Sequence, residues 1–163
     1  MLEDRKHDYR LAIRPPSFFR EMLEQALQGA PRIYAEGEGL PGRQARKRTL
    51  EYALFDDDTG PFYFTLSILL EAGEPDEGAL RFVRAVFDEL IRMDDAARAI
   101  PSNHDENEEL FEVEIDLDLR KAVFCYSSTL WNTEWVVDFQ LDEHAGWACL
   151  GIPDWREPGR YIV

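Results

Sequence analysis

The chain has 163 residues, of which 45% are hydrophobic and 31% charged, with ten Phe, six Tyr and four Trp. That excludes a disordered chain and is enough to bury a core without staples. The formal net charge of −15 is uneven: residues 1–48 hold ten Lys/Arg against seven Asp/Glu, whereas residues 49–163 hold eight against 26. A polyanionic body repels nucleic acid and anionic membrane, because phosphate binding depends on cationic side chains, and it attracts basic partners. Acidity of this kind also serves solubility.

Cys125 and Cys149 are the only cysteines and form no CxxC pair, so a disulfide framework is not suggested. The N-terminus MLEDRKHDYR lacks the apolar stretch of a secretory signal, and no run of about 18 apolar residues occurs. A cytoplasmic protein is expected, in one domain: an arm over 1–16, a helix and loop over 17–48, and a body over 49–163.

In chain order, the charged opening to Pro16 reads as an arm with one short strand around Tyr9 to Ile13. Ser17 stands before FFREMLEQALQ, whose Phe18, Met22, Leu23, Ala26 and Leu27 fall near helical spacing, and Gly29 and Pro31 stop that helix. Residues 33–42 are rich in glycine and read as a loop or at most a single strand. The basic cluster Arg43, Arg46, Lys47 and Arg48 follows; it reads as a solvated edge that can also screen the acidic body from within.

Leu50 to Phe55 and Phe62 to Leu70 are aromatic and branched and are split by DDDTGP, the pattern of a β-hairpin. A calcium loop starting at Asp56 would need Glu at its twelfth position, where Ser67 stands. Beyond Asp76 and Glu77, the run ALRFVRAVFDELIRM places Leu80, Val83, Phe87, Leu90 and Ile91 on a 3.6-residue period. This predicts one long helix over 78–93, carried on by a second short turn, DDAARAI, to Pro101.

Residues 103–119 contain eight acidic side chains and no Lys or Arg. The first part, NHDENEE, reads as loop. In the second, Phe111, Val113, Ile115, Leu117 and Leu119 alternate with Glu112, Glu114, Asp116 and Asp118, which predicts a half-buried strand with one hydrocarbon face and one carboxylate face. Residues 122–130 and 135–141 predict two further strands of a meander, with Trp135, Val137, Phe139 and Leu141 on one face, and the tail leaves room for another strand around Ala148 to Ile152. The expected fold is α+β: an antiparallel sheet of about five strands, one long helix packed across one face, and an additional N-terminal helix.

Four carboxylates spaced about 6.5 to 7 Å apart along one strand repel one another, so either water or a cationic surface must solvate them. Glu112, Glu114, Asp116 and Asp118 are therefore the candidate partner-binding row, with Asp105, Glu106, Glu108 and Glu109 as rim charges. Trp131, in the loop STLWNTEW, is a candidate interface anchor.

Metal-dependent nuclease strands also carry acids, but they use an acidic-x-Lys element, and Asp118 is followed two positions later by Arg120. His7, His104 and His144 are scattered, although His104 beside Asp105 and Glu106 has the makings of a weak metal site. No elbow surrounds Cys125, Ser127 or Ser128, and no phosphate-binding loop is formed by GEGLPGRQARK. No catalytic residue, metal or cofactor is expected.

The run FDELIRMDDAARA, the acidic linker, FEVEIDLDL and then AVFCYSSTLWNTEWVVDF together resemble a group of small bacterial α+β domains that occur near polymorphic toxins. The likeness covers about residues 49–145. It implies an immunity protein, a non-catalytic inhibitor whose acidic face occludes the basic cleft of an effector toxin. The alternatives are a cytosolic adaptor or regulatory binding module, and an uncharacterised metal-dependent hydrolase.

Overall fold

The computed structural model describes residues 8–35, 47–55, 62–100, 108–128 and 133–153. Their strands are β1 (Arg32–Tyr34), β2 (Arg48–Phe55), β3 (Tyr63–Leu70), β4 (Glu109–Asp116), β5 (Lys121–Ser128), β6 (Thr133–Leu141) and β7 (Trp147–Gly151). The helices are α1 (Phe18–Leu27), α2 (Glu77–Asp88) and α3 (Leu90–Arg98), preceded by a 3-10 turn at Leu11–Ile13.

All seven strands form one sheet in sequence order, and every neighbouring pair is antiparallel except β3 and β4. This corrects the expected five-stranded antiparallel sheet with one long helix. The strands beyond those five are the short edge strands β1, beside the segment read as a loop or at most a single strand, and β7, where the tail left room for a strand around Ala148 to Ile152. The parallel pair arises because α2 and α3 carry the chain back to the end of the sheet where β3 began, as a crossover must when it joins parallel neighbours. Local period-two patterning identifies a strand but says nothing of its direction relative to a strand some forty residues away.

The long helix is also divided. Glu89 leaves helical geometry at φ −101° and ψ 1°, and its N–H bonds the Val86 carbonyl three residues back rather than four. No proline or glycine marks that break. The arm around Tyr9 to Ile13 contains the 3-10 turn and no strand.

The helix starts differ in their chemistry. Asp76 caps α2, its carboxylate accepting the Ala79 N–H at 2.7 Å, the usual partner for an orphan first-turn donor. Ser17 stands before α1 but its hydroxyl makes no cap bond; its carbonyl accepts the Glu21 N–H. Helix α1 meets α2 through Glu24, which takes the guanidinium groups of both Arg20 and Arg84.

The described helices all pack on one side of the sheet. Phe19, Met22 and Leu23 of α1, Val83, Val86 and Phe87 of α2, and Leu90, Met93 and Ala97 of α3 bury against Leu50, Tyr52, Leu54, Phe64, Leu66, Ile68, Val113, Ile115, Phe124, Val137 and Phe139. In β4 a bulge between Leu110 and Glu112 shifts the register, so Leu110 is buried and Phe111 is only partly covered. The strict alternation expected from Phe111 to Leu119 therefore holds only from Glu112 to Asp116. Leu119 lies beyond the strand and is exposed.

Candidate functional site

Because side chains alternate along a strand, burying one face of this sheet under helices assigns the remaining residues to the other face. Among the described residues no helix covers that second face. It carries Thr49, Glu51, Ala53 and Phe55 from β2, Tyr63, Thr65, Ser67 and Leu69 from β3, and Glu112, Glu114 and Asp116 from β4. Val123 and Cys125 of β5 and Val136 and Asp138 of β6 continue it.

Register turns these residues into rows across the strands. One row runs Glu51, Ser67, Glu114, Val123 and Asp138 over β2 to β6, so three carboxylates lie on one line with a small or aliphatic residue between each pair. With strands about 4.8 Å apart, successive acids stand about 10 Å from one another. The next row holds Ala53, Thr65, Glu112, Cys125 and Val136, and beyond it the cross-strand pair Phe55 and Tyr63 stands exposed. Glu51, Glu112, Glu114 and Asp116 are half-buried, whereas Ser67 and Asp138 are buried.

Asp116, one row further on, meets one of the protein's own cations. Asp116 Oδ1 accepts from Lys47 Nζ at 3.0 Å and from the backbone N–H groups of Asp118 and Leu119 at 3.0 and 2.9 Å. Asp118 meets the same ammonium at 3.3 Å. Asp116 thus shapes the β4–β5 turn, a structural use that charge spacing alone does not disclose. Desolvation opposes the charged form of Lys47, but Asp116 and then Asp118 outweigh it and hold the ammonium above its ordinary pKa. Lys121 Nζ lies 3.8 Å from Asp138.

The sequence-predicted residues therefore separate. Glu112, Glu114 and Asp116 share the helix-free face, while Asp118 lies in the following turn. Glu108 is not a rim charge: it is 6% exposed and accepts from Trp135 Nε1. Glu109 is half-buried opposite Ser127, and burial pushes its carboxyl up. Asp105, Glu106 and Trp131 lie outside the described residues, as do the DDDTGP turn, His7, His104, Arg43 and Arg46. Sequence alternation alone does not single out Glu51, Asp138, Phe55 and Tyr63. Their alternation was visible in the strands, but their convergence with β4 depends on strand order.

Arg120, which breaks the acidic-x-Lys pattern, turns to the helix side and lies over the Phe82 ring at 5.6 Å. Among the described residues no group of three or more His, Cys, Asp or Glu is placed to hold a metal ion. Neither Cys125, which is buried, nor Cys149, which is exposed, is in a disulfide. No described helix is long and apolar enough to cross a membrane.

Under the helices lies a second polar cluster. Asp94 of α3 is 0% exposed, and its carboxylate accepts from the Tyr126 hydroxyl at 2.7 Å, the Leu11 N–H at 2.9 Å and Arg98 Nε at 3.0 Å. Arg98 also donates to the Tyr9 carbonyl at 3.1 Å and lies over the Tyr126 ring. Tyr126 stacks on Trp135, their centroids 4.2 Å apart and the planes within 10°. Burial pushes the Asp94 carboxyl up, opposed by Arg98 and the hydrogen-bond donors. Every Asp94 oxygen is used within the fold, so this cluster joins the arm, α3 and β5 rather than forming a reactive centre.

Tyr126 makes that joint sensitive to alkali. Burial, and then the adjacent Asp94 carboxylate, hold its phenol well above the ordinary tyrosine value. The unfolded chain ionises this tyrosine first, near pH 10, so the stability it contributes is fully present below about pH 10 and is lost as pH rises through the folded pKa. In a tyrosinate absorbance titration, one component should appear only with cooperative unfolding. Tyr126→Phe should remove that component; its persistence would show that another buried tyrosine is responsible.

Comparison with family models, with curated proteins and with solved structures finds no match for this chain.

Proposed function

We propose that this protein is a non-catalytic binding module that receives a basic protein on the helix-free face of its sheet, in the manner of an immunity protein that occludes a toxin's cationic cleft. The observation that carries the reading is the alignment of Glu51 and Glu114 on one row, with Glu112 on the next, on the sheet face that the described helices leave uncovered. Like charges about 10 Å apart across one sheet face repel weakly and do not favour folding. Against a basic cleft the same groups accelerate encounter and select orientation. The resemblance to toxin-linked domains supplies the specific form of the partner, and an antidote is normally encoded beside its toxin.

The test is co-purification with the product of the neighbouring gene, followed by association kinetics. Glu51→Gln, Glu112→Gln and Glu114→Gln combined should slow association by about tenfold or more at low salt, with a much smaller effect at high salt. Lys47→Ala should act in the opposite direction, because it releases Asp116 and Asp118 from their internal cation. Its stability cost should stay below about 1 kcal/mol, as expected for a partly exposed pair. Unchanged kinetics in both variants would remove this face from the interface.

A further inference from the structure

Strand β7 forms one edge of the sheet, and no described strand pairs with its outer side. The ladder with β6 directs its backbone toward that side. The Leu141 N–H bonds the Arg120 carbonyl, away from β7, and the Asp142 N–H one residue later bonds the Gly146 carbonyl. Because antiparallel pairs alternate between bonded and non-bonded, Trp147 opposite Leu141, and Cys149 opposite Phe139, point their N–H and C=O groups outward. The register shift beside Asp138 comes after Cys149, so Trp147 to Cys149 form a regular row. Natural edges are blunted by brevity and by charged side chains. The opposite edge, β1, follows that rule: it has three residues, one of them Arg32. Strand β7 carries no charge, its Ala148, Cys149 and Leu150 are exposed, and Ile152 is exposed just beyond it.

We propose that the outer side of β7 is a self-association edge, on which β7 of a second copy pairs antiparallel about a two-fold axis at Ala148. Outward N–H and C=O groups of an extended strand are matched by another extended strand. Charge favours a second copy as the occupant. Two chains of net charge −15 repel one another, and least so where the strands that meet are uncharged; a basic partner has no attraction to such a strand. The register pairs Trp147 of each copy with Cys149 of the other, the residues whose backbone groups point outward. It sets the small Ala148 at the axis, a non-bonded position where the chains approach most closely. Antiparallel pairing continues the sheet with equivalent faces on the same side, so both helix-free faces turn one way in the dimer. A two-fold contact of this kind closes at two copies, whereas β7 on β1 of the next copy would grow without limit.

Sedimentation equilibrium of the full chain should show monomer and dimer, with half the protein dimeric at about 100 μM, as suits so short an interface. The dimer should strengthen several-fold as added salt screens the repulsion between the two acidic bodies. Ala148→Lys sets like charges directly opposite each other across the axis. It should raise the dissociation constant by about tenfold or more, although it makes the chain less negative, and leave the melting temperature in dilute solution unchanged. A short bismaleimide should cross-link the dimer through the two Cys149 thiols, diagonal neighbours about 7 to 8 Å apart, and Cys149→Ser should abolish that product. A monomer at every concentration up to about 1 mM would overturn the proposal. So would a dimer that survives Ala148→Lys or yields no Cys149 cross-link, or a mass that climbs beyond the dimer with concentration.

Discussion

Asp94→Ala is expected to destabilise the protein by about 3 to 5 kcal/mol, the range seen when one member of a buried ion pair is removed. Three donors lose their acceptor together: the Tyr126 hydroxyl, the Leu11 N–H and the Arg98 guanidinium. Arg98 is 8% exposed at its side chain, so water cannot readily replace the carboxylate. Leu11 and Tyr126 donate to different oxygens of Asp94, so Asp94→Asn keeps an acceptor for only one of them and removes the carboxylate charge beside Arg98; it should fall between wild type and alanine. Urea unfolding of the three proteins measures both differences. A loss below about 1 kcal/mol for alanine would mean that the arm and helix α3 are not joined through this side chain.

Phe19→Ala should cost about 3 to 5 kcal/mol, through lost burial and an unfilled cavity. Phe19 is 0% exposed and packs edge-on against Phe18 at 5.1 Å and Phe62 at 5.3 Å between ring centroids, with Phe64 at 6.4 Å behind them. Through these rings helix α1 is part of the same core as β3. The resemblance to toxin-linked domains begins only near residue 49, so it gives α1 no role. A single unfolding transition with a lowered midpoint is expected for Phe19→Ala. Loss of helical signal in a separate earlier transition, with the sheet left at its original midpoint, would instead make α1 an appendage.

Some residues announced their roles locally. Val83, Phe87 and Leu90 declared a helix face, Asp76 stood at the α2 N-terminus as a capping residue should, and the split runs Leu50 to Phe55 and Phe62 to Leu70 became β2 and β3. The spacing Leu90, Met93, Asp94 and Ala97 also contained a signal that the segment DDAARAI obscured: an acid on the apolar face of a helix is a candidate buried partner. The division at Glu89 had no such signal, since no breaker stands there.

The functional face was legible only in part. Glu112 and Glu114 followed from alternation within one strand, whereas Glu51 and Asp138 join them through pairing across β2 to β6. Asp116 and Asp118 looked equivalent to the other acids until Lys47, some seventy positions earlier, was found beside them. Glu108 looked like one more exposed charge in an acidic run, yet the Trp135 indole draws it inward.

Composition, charge and short-range periodicity by themselves established a polyanionic body, most of its strands and helical segments, and the two-sidedness of β4, because each depends on side chains a few positions apart on a regular backbone. Tertiary structure alone decided that β3 and β4 run parallel, which carboxylates meet an internal cation, and which align on a face without helices. Those outcomes depend on contacts between residues far apart in the chain, where register and packing rather than local preference select the partner.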